Sequence, residues 1–304
     1  MTDVTANETR AGFVALIGAP NAGKSTLMNQ LVGSKISIVT HKVQTTRAVM
    51  RGIAMHENCQ VIFVDTPGIF APRRRLDEAM VSTAWGSARD ADISVFMVDA
   101  ERGVTDDIEK ILKTLSDVSG PVLLLINKID QVKRDQLLEL TQKLNELHAF
   151  KETFMVSALN GDGCHDFMDY LAGNLPAGPF MYPEDQISDL PMRMLAAEVT
   201  REKLYLRLHQ ELPYASHIET EAWEEKKDGS VKISQVIYVE RQSQKKIVIG
   251  KNGATIKAIS TASRKELEEL TEQKVHLFLF VKVRENWGDD PDRYREMGLE
   301  FPTG

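Results

Sequence analysis

Cysteine is scarce in this chain, which has only Cys59 and Cys164 among its 304 residues. Two cysteines cannot build the disulfide framework of a small secreted protein, and their spacing fits no zinc motif, so we predict two reduced and buried thiols. Long apolar runs are missing too, since no stretch approaches the roughly 20 residues that a membrane-spanning helix needs. The polar segment 1–10 has no apolar signal core. These absences predict a cytoplasmic protein and leave open a visit to a membrane surface.

The chain also has no excess of basic over acidic residues. Residues 1–190 carry 18 basic and 25 acidic side chains, and residues 191–304 carry 19 of each. The overall charge therefore gives no sign of nucleic-acid binding, and any basic surface that meets a polyanion must be local. The apolar fraction of 42% and the charged fraction of 27% are ordinary for globular proteins, and the length suits two domains.

Short apolar runs alternate with helical patterns through the first half of the chain. The predicted strands are residues 13–17, 61–64, 93–98, 122–126 and 154–156, and the predicted helices are residues 24–31, 106–118, 134–150 and 164–175. This alternation predicts an α/β domain with a doubly wound, mostly parallel sheet. Residues 48–55 are predicted to add an edge strand, antiparallel to residues 61–64.

A proline-rich stretch breaks this rhythm and predicts a linker over residues 176–191. Beyond it we expect a helix (193–211), two strands (216–224 and 232–239), a helix near residue 250, a helix to residue 270 and a strand (274–283). The predicted domains are therefore residues 1–175, a linker 176–191, and a smaller α+β domain with a tail, 192–304.

Residues 18–25 (G-A-P-N-A-G-K-S) match the pattern G-x-x-x-x-G-K-[ST]. They follow a predicted strand and open a predicted helix, which is the context that a phosphate-binding loop requires. The backbone N–H groups of such a loop point at phosphates, its lysine reaches the β- and γ-phosphates, and its serine ligates Mg²⁺. Lys24 and Ser25 would have these roles. The segment therefore predicts a nucleoside triphosphate site.

Two later segments extend that prediction. Residues 65–68 (D-T-P-G) end a predicted strand, where Asp65 can hold Mg²⁺ through water and the N–H of Gly68 can face the γ-phosphate. Residues 127–130 (N-K-I-D) follow another strand and predict guanine as the base. The Asp130 carboxylate can accept two hydrogen bonds from guanine, a pair of donors that adenine does not offer. Lys128 would lay its aliphatic stem along the base, and the N–H of Ala158 could meet the guanine O6.

Together these segments resemble the signature of the GTPase superfamily, and residues 44–47 (Q-T-T-R) are similar to the first switch of one bacterial branch. The resemblance implies that Thr46, rather than Thr45, closes over Mg²⁺; the other interpretation is a pair of β-branched residues in an edge strand. Ile69 stands where many small GTPases have a water-orienting glutamine, so we predict slow intrinsic hydrolysis. Asn21 resembles the residue that ligates K⁺ in related GTPases, which makes K⁺ a candidate second cation.

Residues 248–253 (V-I-G-K-N-G) contain G-x-x-G, which we expect between the end of an apolar strand and a helix from Ala254. Residues 241–265 hold seven basic side chains and no acid, a local footprint for phosphate. With the predicted order of elements, this loop resembles a type II KH domain, which clamps about four single-stranded nucleotides. The alternative is a helix-opening turn with solvated lysines.

Four further stretches are similar to the Era-like family of bacterial ribosome-assembly GTPases: residues 201–204 (R-E-K-L), 211–214 (E-L-P-Y), 245–250 (K-K-I-V-I-G) and 281–284 (V-K-V-R), with Trp287 and residues 289–290. The resemblance implies GTP and GDP as ligands, and binding to the 3′ end of 16S rRNA during assembly of the 30S subunit. It also implies a monomer with peripheral association with the inner membrane. A constitutive RNA scaffold with structural GTP and a membrane GTPase with a lipid-binding basic segment are the open alternatives. Residues 73–75 (R-R-R) are either second-switch surface or an RNA contact.

The candidate site residues form three sets. The nucleotide-binding candidates are Gly18, Ala19, Pro20, Asn21, Ala22, Gly23, Lys24, Ser25, Thr26, Asp65, Thr66, Pro67, Gly68, Asn127, Lys128, Asp130, Ser157, Ala158 and Leu159. The catalytic candidates are Lys24, Thr46 and Gly68, and the Mg²⁺ ligands are Ser25, Thr46 and, through water, Asp65. The RNA-binding candidates are Lys245, Lys246, Ile249, Gly250, Lys251, Asn252, Gly253, Ile256 and Lys257.

Overall fold

The computed structural model describes residues 8–42, 44–209 and 212–302. The chain divides into two compact units. The first comprises Met1–Ser37, Thr46–Asp189 and Tyr294–Gly304, and the second comprises Ile38–Thr45 and Leu190–Arg293. The domain bounds predicted from the sequence stay a prediction. This division differs from them because Ile38–Thr45 groups with the second unit and Tyr294–Gly304 with the first.

The first unit is built on a six-stranded sheet in the order β2-β3-β1-β4-β5-β6. Its strands are β1 (Arg10–Gly18), β2 (Met50–His56), β3 (Cys59–Asp65), β4 (Ile93–Asp99), β5 (Val122–Asn127) and β6 (Thr153–Val156). Every neighbouring pair is parallel except β2 and β3, which are antiparallel. Its helices are α1 (Lys24–Val32), α2 (Arg75–Asp90), α3 (Asp106–Leu115), α4 (Arg134–Leu147) and α5 (Cys164–Asn174). The predicted α/β fold, including the antiparallel edge strand, is confirmed.

The central strands form because nearly all of their residues are apolar. All residues of β4 and β5 are buried, as expected for a parallel sheet covered on both faces. The helices bring one apolar face to this sheet: in α3 the buried residues are Ile108, Ile111, Leu112 and Leu115. Helix α2 was not predicted. It begins where the Asp77 carboxylate accepts the backbone N–H groups of Arg73 and Arg74, which satisfies donors that a helix start leaves open.

The proline-rich stretch is anchored along the first unit. The N–H of Ile53 in β2 donates to the carbonyl of Ile187. The side-chain amide of the fully buried Gln60 accepts hydrogen bonds from the N–H groups of Met181 and Tyr182 and donates to the Tyr182 carbonyl, at 2.8–3.0 Å. Prolines lack an N–H donor, so a segment of this kind pairs with an edge strand at only a few points.

The second unit has a three-stranded sheet in the order β7-β8-β9. Its elements are α6 (Met192–Arg207), β7 (Ser216–Glu225), β8 (Val231–Val239), α7 (Gln242–Ile249), α8 (Ala254–Thr271) and β9 (Val275–Val283). A last helix, α9 (Pro291–Glu296), contains the boundary between the units after Arg293. Strands β7 and β8 are antiparallel, and β8 and β9 are parallel. The predicted α+β order is confirmed. The predicted strand end at Val248 and Ile249 is wrong, because both residues belong to helix α7.

The structure also tests three other predictions made from the sequence. Cys59 and Cys164 are free and buried, as expected. The predicted helix over residues 193–211 is α6, which ends at Arg207, while Glu211 lies outside the described residues. Within the described part of the chain, no helix combines the length and the apolar character that crossing a membrane requires.

Candidate nucleotide site and KH loop

The parallel sheet brings the sequence motifs of the first unit together. Gly18, Asp65, Asp99 and Asn127 end strands β1, β3, β4 and β5. In a parallel sheet these carboxyl ends lie at one edge, which is where open α/β sheets bind ligands. The phosphate-binding loop therefore lies at the same edge as the D-x-x-G and N-K-x-D residues.

Lys24 is folded back onto the phosphate-binding loop. Its side chain is buried, and its Nζ donates to the carbonyls of Gly18 and Ala19 at 3.2 Å each. Burial lowers the pKa of Lys24 to about 8, and the nearby carboxylate of Asp65 opposes this shift. The loop thus holds a buried ammonium beside the Asp65 carboxylate, and a phosphate group would supply further negative charge.

A cluster of oxygen atoms surrounds the Asp65 carboxylate, which is fully buried. Its Oδ2 accepts hydrogen bonds from Ser25 Oγ (2.6 Å), Ser37 Oγ (3.0 Å) and Thr46 Oγ1 (3.3 Å). Ser25 Oγ and Thr46 Oγ1 are 2.9 Å apart. No described residue donates to the second oxygen, Oδ1. Burial raises the pKa of Asp65, while Lys24 and the three hydroxyls act against the shift. The predicted metal ligands are therefore brought together.

Ser37 is a member of this cluster that the sequence did not reveal. The side-chain Oδ1 of Asn29, in α1, accepts the backbone N–H groups of Ile36 and Ser37 at 2.9 Å each, and this places the serine beside Asp65. Ser37 belongs to no motif, so its position depends on loop geometry that spacing does not predict. Asn29 was missed for the same reason.

Thr46 and Thr45 have different surroundings. Thr46 points to Ser25 and Asp65, whereas the Thr45 hydroxyl lies 2.7 Å from Thr40 Oγ1 and donates to the Lys42 carbonyl at 2.6 Å. Neither threonine belongs to β2, so the edge-strand interpretation does not describe this segment. The geometry matches the preference for Thr46.

Asn127 connects three of the predicted motifs. Its Nδ2 donates to the Ala22 carbonyl at 2.8 Å, and its Oδ1 accepts the N–H of Ala158 at 2.9 Å. Gly23 must be a glycine, because a Cβ there would lie 2.1 Å from Asn127 Nδ2 and its φ is +98°. Asn127 therefore positions the loop and the residues after β6. The N–H of Ala158, which we expected to be open to guanine O6, is used in this bridge.

Lys128 and Asp130, the side chains predicted to contact the guanine base, are at least partly exposed to solvent. Lys128 has a left-handed backbone (φ 65°), and its Nζ forms an ion pair with Asp99 Oδ2 at 2.5 Å. Asp130 is exposed, and Leu159 is 71% exposed. Asp99 was missed by the sequence analysis, although an acid at the carboxyl end of a buried parallel strand is a usable signal. The arrangement leaves the Asp130 carboxylate accessible to a ligand.

The described part of the loop Ile38–Thr45 is held by helix α6 of the second unit. Lys42 Nζ donates to the carbonyls of Tyr205 and Leu208 at the end of that helix. Arg201, which is buried, donates to the Thr45 carbonyl at 2.5 Å. The N–H of Val39 donates to Glu202 Oε1 at 2.9 Å. The next residue, Thr46, belongs to the first unit and to the oxygen cluster.

The G-x-x-G loop joins helices α7 and α8. Gly250 has φ 75°, and a Cβ there would lie 2.2 Å from Thr255 Oγ1, so the close approach of the two helices requires glycine. Asn252 has a left-handed backbone (φ 53°), and the N–H of Gly253 donates to the Gly250 carbonyl at 3.2 Å. The result is a tight turn with its backbone near the surface.

The predicted RNA-binding side chains line this turn. Lys246, Lys251, Asn252 and Lys257 are exposed, and Lys245 is half-buried. Ile249 and Ile256 are half-buried against the apolar core of the unit. Of the seven basic residues between 241 and 265, Arg264 pairs with Glu268. Ile247, which the sequence analysis did not select, is 56% exposed beside the loop.

Protein-family models match both parts of the chain. The model described as "50S ribosome-binding GTPase" matches residues 13–128, and the model described as "KH domain" matches residues 211–288. The chain is 72% identical to GTPase Era of Agrobacterium fabrum over 97% of its own length and 93% of that protein. It is 69% identical to GTPase Era of Sinorhizobium medicae over 99% and 97% of the two chains.

The chain belongs to the Era family of GTPases.

Two solved structures of family members are similar to this one over 95% of this chain and 99% of theirs, with a TM-score of 0.90 and 36% sequence identity. One is Era of Aquifex aeolicus, with one substitution, bound to GDP·AlF4⁻. The other is Era in complex with MgGDPNP and nucleotides 1506–1542 of 16S ribosomal RNA. The fold predicted from the sequence, a P-loop GTPase domain followed by a KH domain, and the predicted GTPase activity are confirmed.

In this Era-family GTPase, the residue after the D-x-x-G segment, Ile69, is hydrogen-bonded to the phosphate-binding loop. The side chain of Ile69 is buried in the apolar core beneath the sheet edge, and its N–H donates to the Gly18 carbonyl at 3.0 Å. Gly68 lies against Pro20, whose Cα would be 2.9 Å from an added Cβ. Ile69 therefore holds the segment in place and offers no polar atom to a water molecule. The arginines at 73–75 are exposed, and their role stays a prediction.

The pKa of Lys24 predicts how nucleotide affinity depends on pH. In the free protein this pKa is about 8, and bound phosphates would raise it, so binding takes up a proton above pH 8. We expect the affinity for GDP to fall about tenfold between pH 7 and pH 9. Isothermal titration calorimetry over this range measures the fall, and two buffers of different ionisation enthalpy report the proton uptake.

Lys24→Arg is the matched control, because arginine keeps its charge over the whole range. Its affinity should be independent of pH where that of the natural chain falls. Equal slopes for the two proteins would assign the pH dependence to another group and contradict this account.

Proposed function

We propose that this GTPase is a molecular switch that binds 16S rRNA near its 3′ end and acts in assembly of the 30S subunit. The observation that carries the proposal is the continuity between Thr46, a member of the oxygen cluster, and the preceding loop, which helix α6 holds. A change in the position of Thr46 therefore acts on a loop that belongs to the second unit, which contains the KH domain (the KH unit). The solved relative with a 16S rRNA fragment supports the choice of RNA.

The residues around Asp65 suit Mg²⁺ as the cofactor. The side chains of Ser25, Thr46 and Asp65 offer only oxygen, the ligand atom that Mg²⁺ prefers, and Asp65 Oδ1 is buried without a donor among the described residues. A bound Mg²⁺ neutralises charge that develops on the transferred phosphate. We assign Ser25 and Thr46 to direct contact and Asp65 to contact through water, as the sequence predicted.

The other nucleotide roles follow the sequence prediction. Lys24 would exchange its two loop carbonyls for phosphate oxygens, and the N–H of Gly68 would face the γ-phosphate. Asp130 would accept hydrogen bonds from guanine. Because Ile69 is apolar and buried, water is positioned by backbone groups, another residue or a partner, and intrinsic hydrolysis is slow.

Potassium is a candidate second cation through Asn21. This residue lies in the phosphate-binding loop with a left-handed backbone (φ 67°). A monovalent cation between the phosphates would neutralise charge as an arginine finger does. We expect faster turnover in KCl than in NaCl at equal ionic strength. Asn21→Ala should bring the ratio of the two rates to one, and a ratio that the substitution leaves unchanged would remove Asn21 from this role.

The KH loop would bind the RNA backbone. The exposed side chains of Lys246, Lys251 and Lys257 would meet phosphates, Gly250 and Gly253 would let the backbone approach, and Ile249 and Ile256 would lie under the bases. Lys251→Ala should weaken binding to the 16S fragment 1506–1542. It should also lower the slope of log affinity against log salt by about 0.7, the value for one phosphate contact with a single strand.

Lys274→Ala is the matched control for Lys251→Ala. Lys274 is exposed but lies beyond the far end of α8, whose 18 residues separate it from the loop by about 27 Å. Fluorescence anisotropy at four salt concentrations measures both variants. An unchanged slope for Lys251→Ala, or the same loss for Lys274→Ala, would contradict the assignment of the loop.

The Lys42→Ala variant tests whether the bound nucleotide controls RNA affinity. The ratio of RNA affinities in the GTP-analogue and GDP states is the coupling factor, and by linkage RNA changes nucleotide affinity by the same factor. We expect a factor of about 5–150 in the natural chain. In Lys42→Ala it should approach one, because the ammonium that ties the loop to α6 is gone. Lys110→Ala, on the exposed face of α3, is the control.

The alternatives predict different results in the same experiment. A coupling factor of one between nucleotide and RNA in the natural chain favours a constitutive RNA scaffold with structural GTP. The GTPase family model that matches residues 13–128 is described as 50S ribosome-binding. Sedimentation with purified 30S and 50S subunits shows which of the two particles this chain binds. Peripheral membrane association, cytoplasmic location and a monomeric state stay predictions, and flotation with liposomes, with and without competing RNA, tests the first of them.

A further inference from the structure

Two histidines and an aspartate meet on the first unit, apart from the residues assigned to nucleotide. His56 Nε2 lies 2.6 Å from Asp169 Oδ1, and His165 Nδ1 lies 3.0 Å from Asp169 Oδ2. The two imidazole rings cross edge to face, with their centroids 5.4 Å apart. One carboxylate therefore connects two imidazole nitrogens from separate elements of the fold.

The fold explains why these side chains meet. His56 is the last residue of β2, just before the turn to β3. His165 and Asp169 are four residues apart on α5, so they lie on one face of that helix. His56 is mostly buried, with 19% of its side chain exposed, which limits its freedom. His165 and Asp169 are 80% and 48% exposed, which leaves the cluster open to solvent on one side.

The three ligand atoms have the spacing of a metal site. All of them lie within 4.8 Å of one another. In a tetrahedral zinc site with bonds near 2 Å, neighbouring ligand atoms are about 3.3 Å apart. The distance from His165 Nδ1 to Asp169 Oδ2, 3.0 Å, is close to that value. The distance from His56 Nε2 to Asp169 Oδ1, 2.6 Å, is shorter, so the exposed carboxylate of Asp169 has to turn away from His56 to admit an ion.

The donor set selects the class of metal. Imidazole nitrogen with one carboxylate suits zinc and neighbouring first-row transition metals, whereas Mg²⁺ and Ca²⁺ prefer oxygen alone. The cluster around Asp65 contains only oxygen donors. The chain therefore offers two sites of different chemistry, and competition by Mg²⁺ at the histidine pair is expected to be weak.

We propose that His56, His165 and Asp169 bind one divalent transition-metal ion, with Zn²⁺ as the probe, and that water fills the remaining positions. The ion takes the place of the two contacts between the imidazole rings and Asp169. It ties the end of strand β2 to helix α5, next to the turn that joins β2 to β3.

The test uses the full chain loaded with GDP and a large excess of Mg²⁺, so that the nucleotide site is occupied. Zn²⁺ is titrated in competition with a chromophoric chelator, and Co²⁺ is added separately because its visible absorption reports nitrogen and oxygen coordination. We expect one equivalent of Zn²⁺ to bind. His165→Ala should weaken this binding at least about 10–100-fold, the loss typical of removing even an indirect partner of a metal site.

Two further variants make the result specific. Asp169→Asn keeps the size of the side chain and removes its charge, and it should weaken binding as well. His276→Ala removes an exposed histidine of β9 and should change nothing. Since His165 is 80% exposed, its loss leaves the core intact, which circular dichroism confirms. Equal Zn²⁺ affinity in the natural chain and His165→Ala, or an equal loss in His276→Ala, would overturn the proposal.

Discussion

A carboxylate that is fully buried, that of Asp65, organises the nucleotide side of this GTPase. Removing a charge from water costs several kcal/mol unless partners replace the lost hydration. Three hydroxyls supply them, and each comes from a different segment: Ser25 from α1, Ser37 from the loop after it, and Thr46 from the first switch. The requirement to satisfy one carboxylate thus draws the start of α1 and two loops to the end of β3.

Lys24 is the counterpart of this carboxylate. Its ammonium is buried beside Asp65 and donates to the carbonyls of Gly18 and Ala19. Burial lowers the pKa of Lys24 and raises that of Asp65, and each charge limits the shift of the other. A buried ammonium beside a buried carboxylate suits a ligand that brings a negatively charged phosphate and a metal cation together. The chemistry of the site therefore follows from electrostatics that are present before nucleotide arrives.

The sequence predicted the elements whose residues obey a simple physical pattern. Strands β4 and β5 are buried throughout and almost entirely apolar, and the glycine loop has the spacing of a strand-to-helix turn that binds phosphate. The failures have separate causes. Val248 and Ile249 resemble a strand end because a short apolar run fits a buried strand and a helix equally well. Ser37 and Asn29 form their contacts through a loop, and loop conformation has no periodicity to detect. Helix α2 begins at Arg75, the last of three consecutive exposed arginines, and this run obscured its start.

The chain crosses between the two compact units four times, after Ser37, Thr45, Asp189 and Arg293. A fragment that begins at Leu190 would lack residues 38–45. The carbonyls of Tyr205 and Leu208 would then have lost the ammonium of Lys42, and the buried guanidinium of Arg201 would have lost the Thr45 carbonyl. The KH unit is thus not separable by a single cut, and a truncation designed to study it alone would alter the helix that it was meant to isolate.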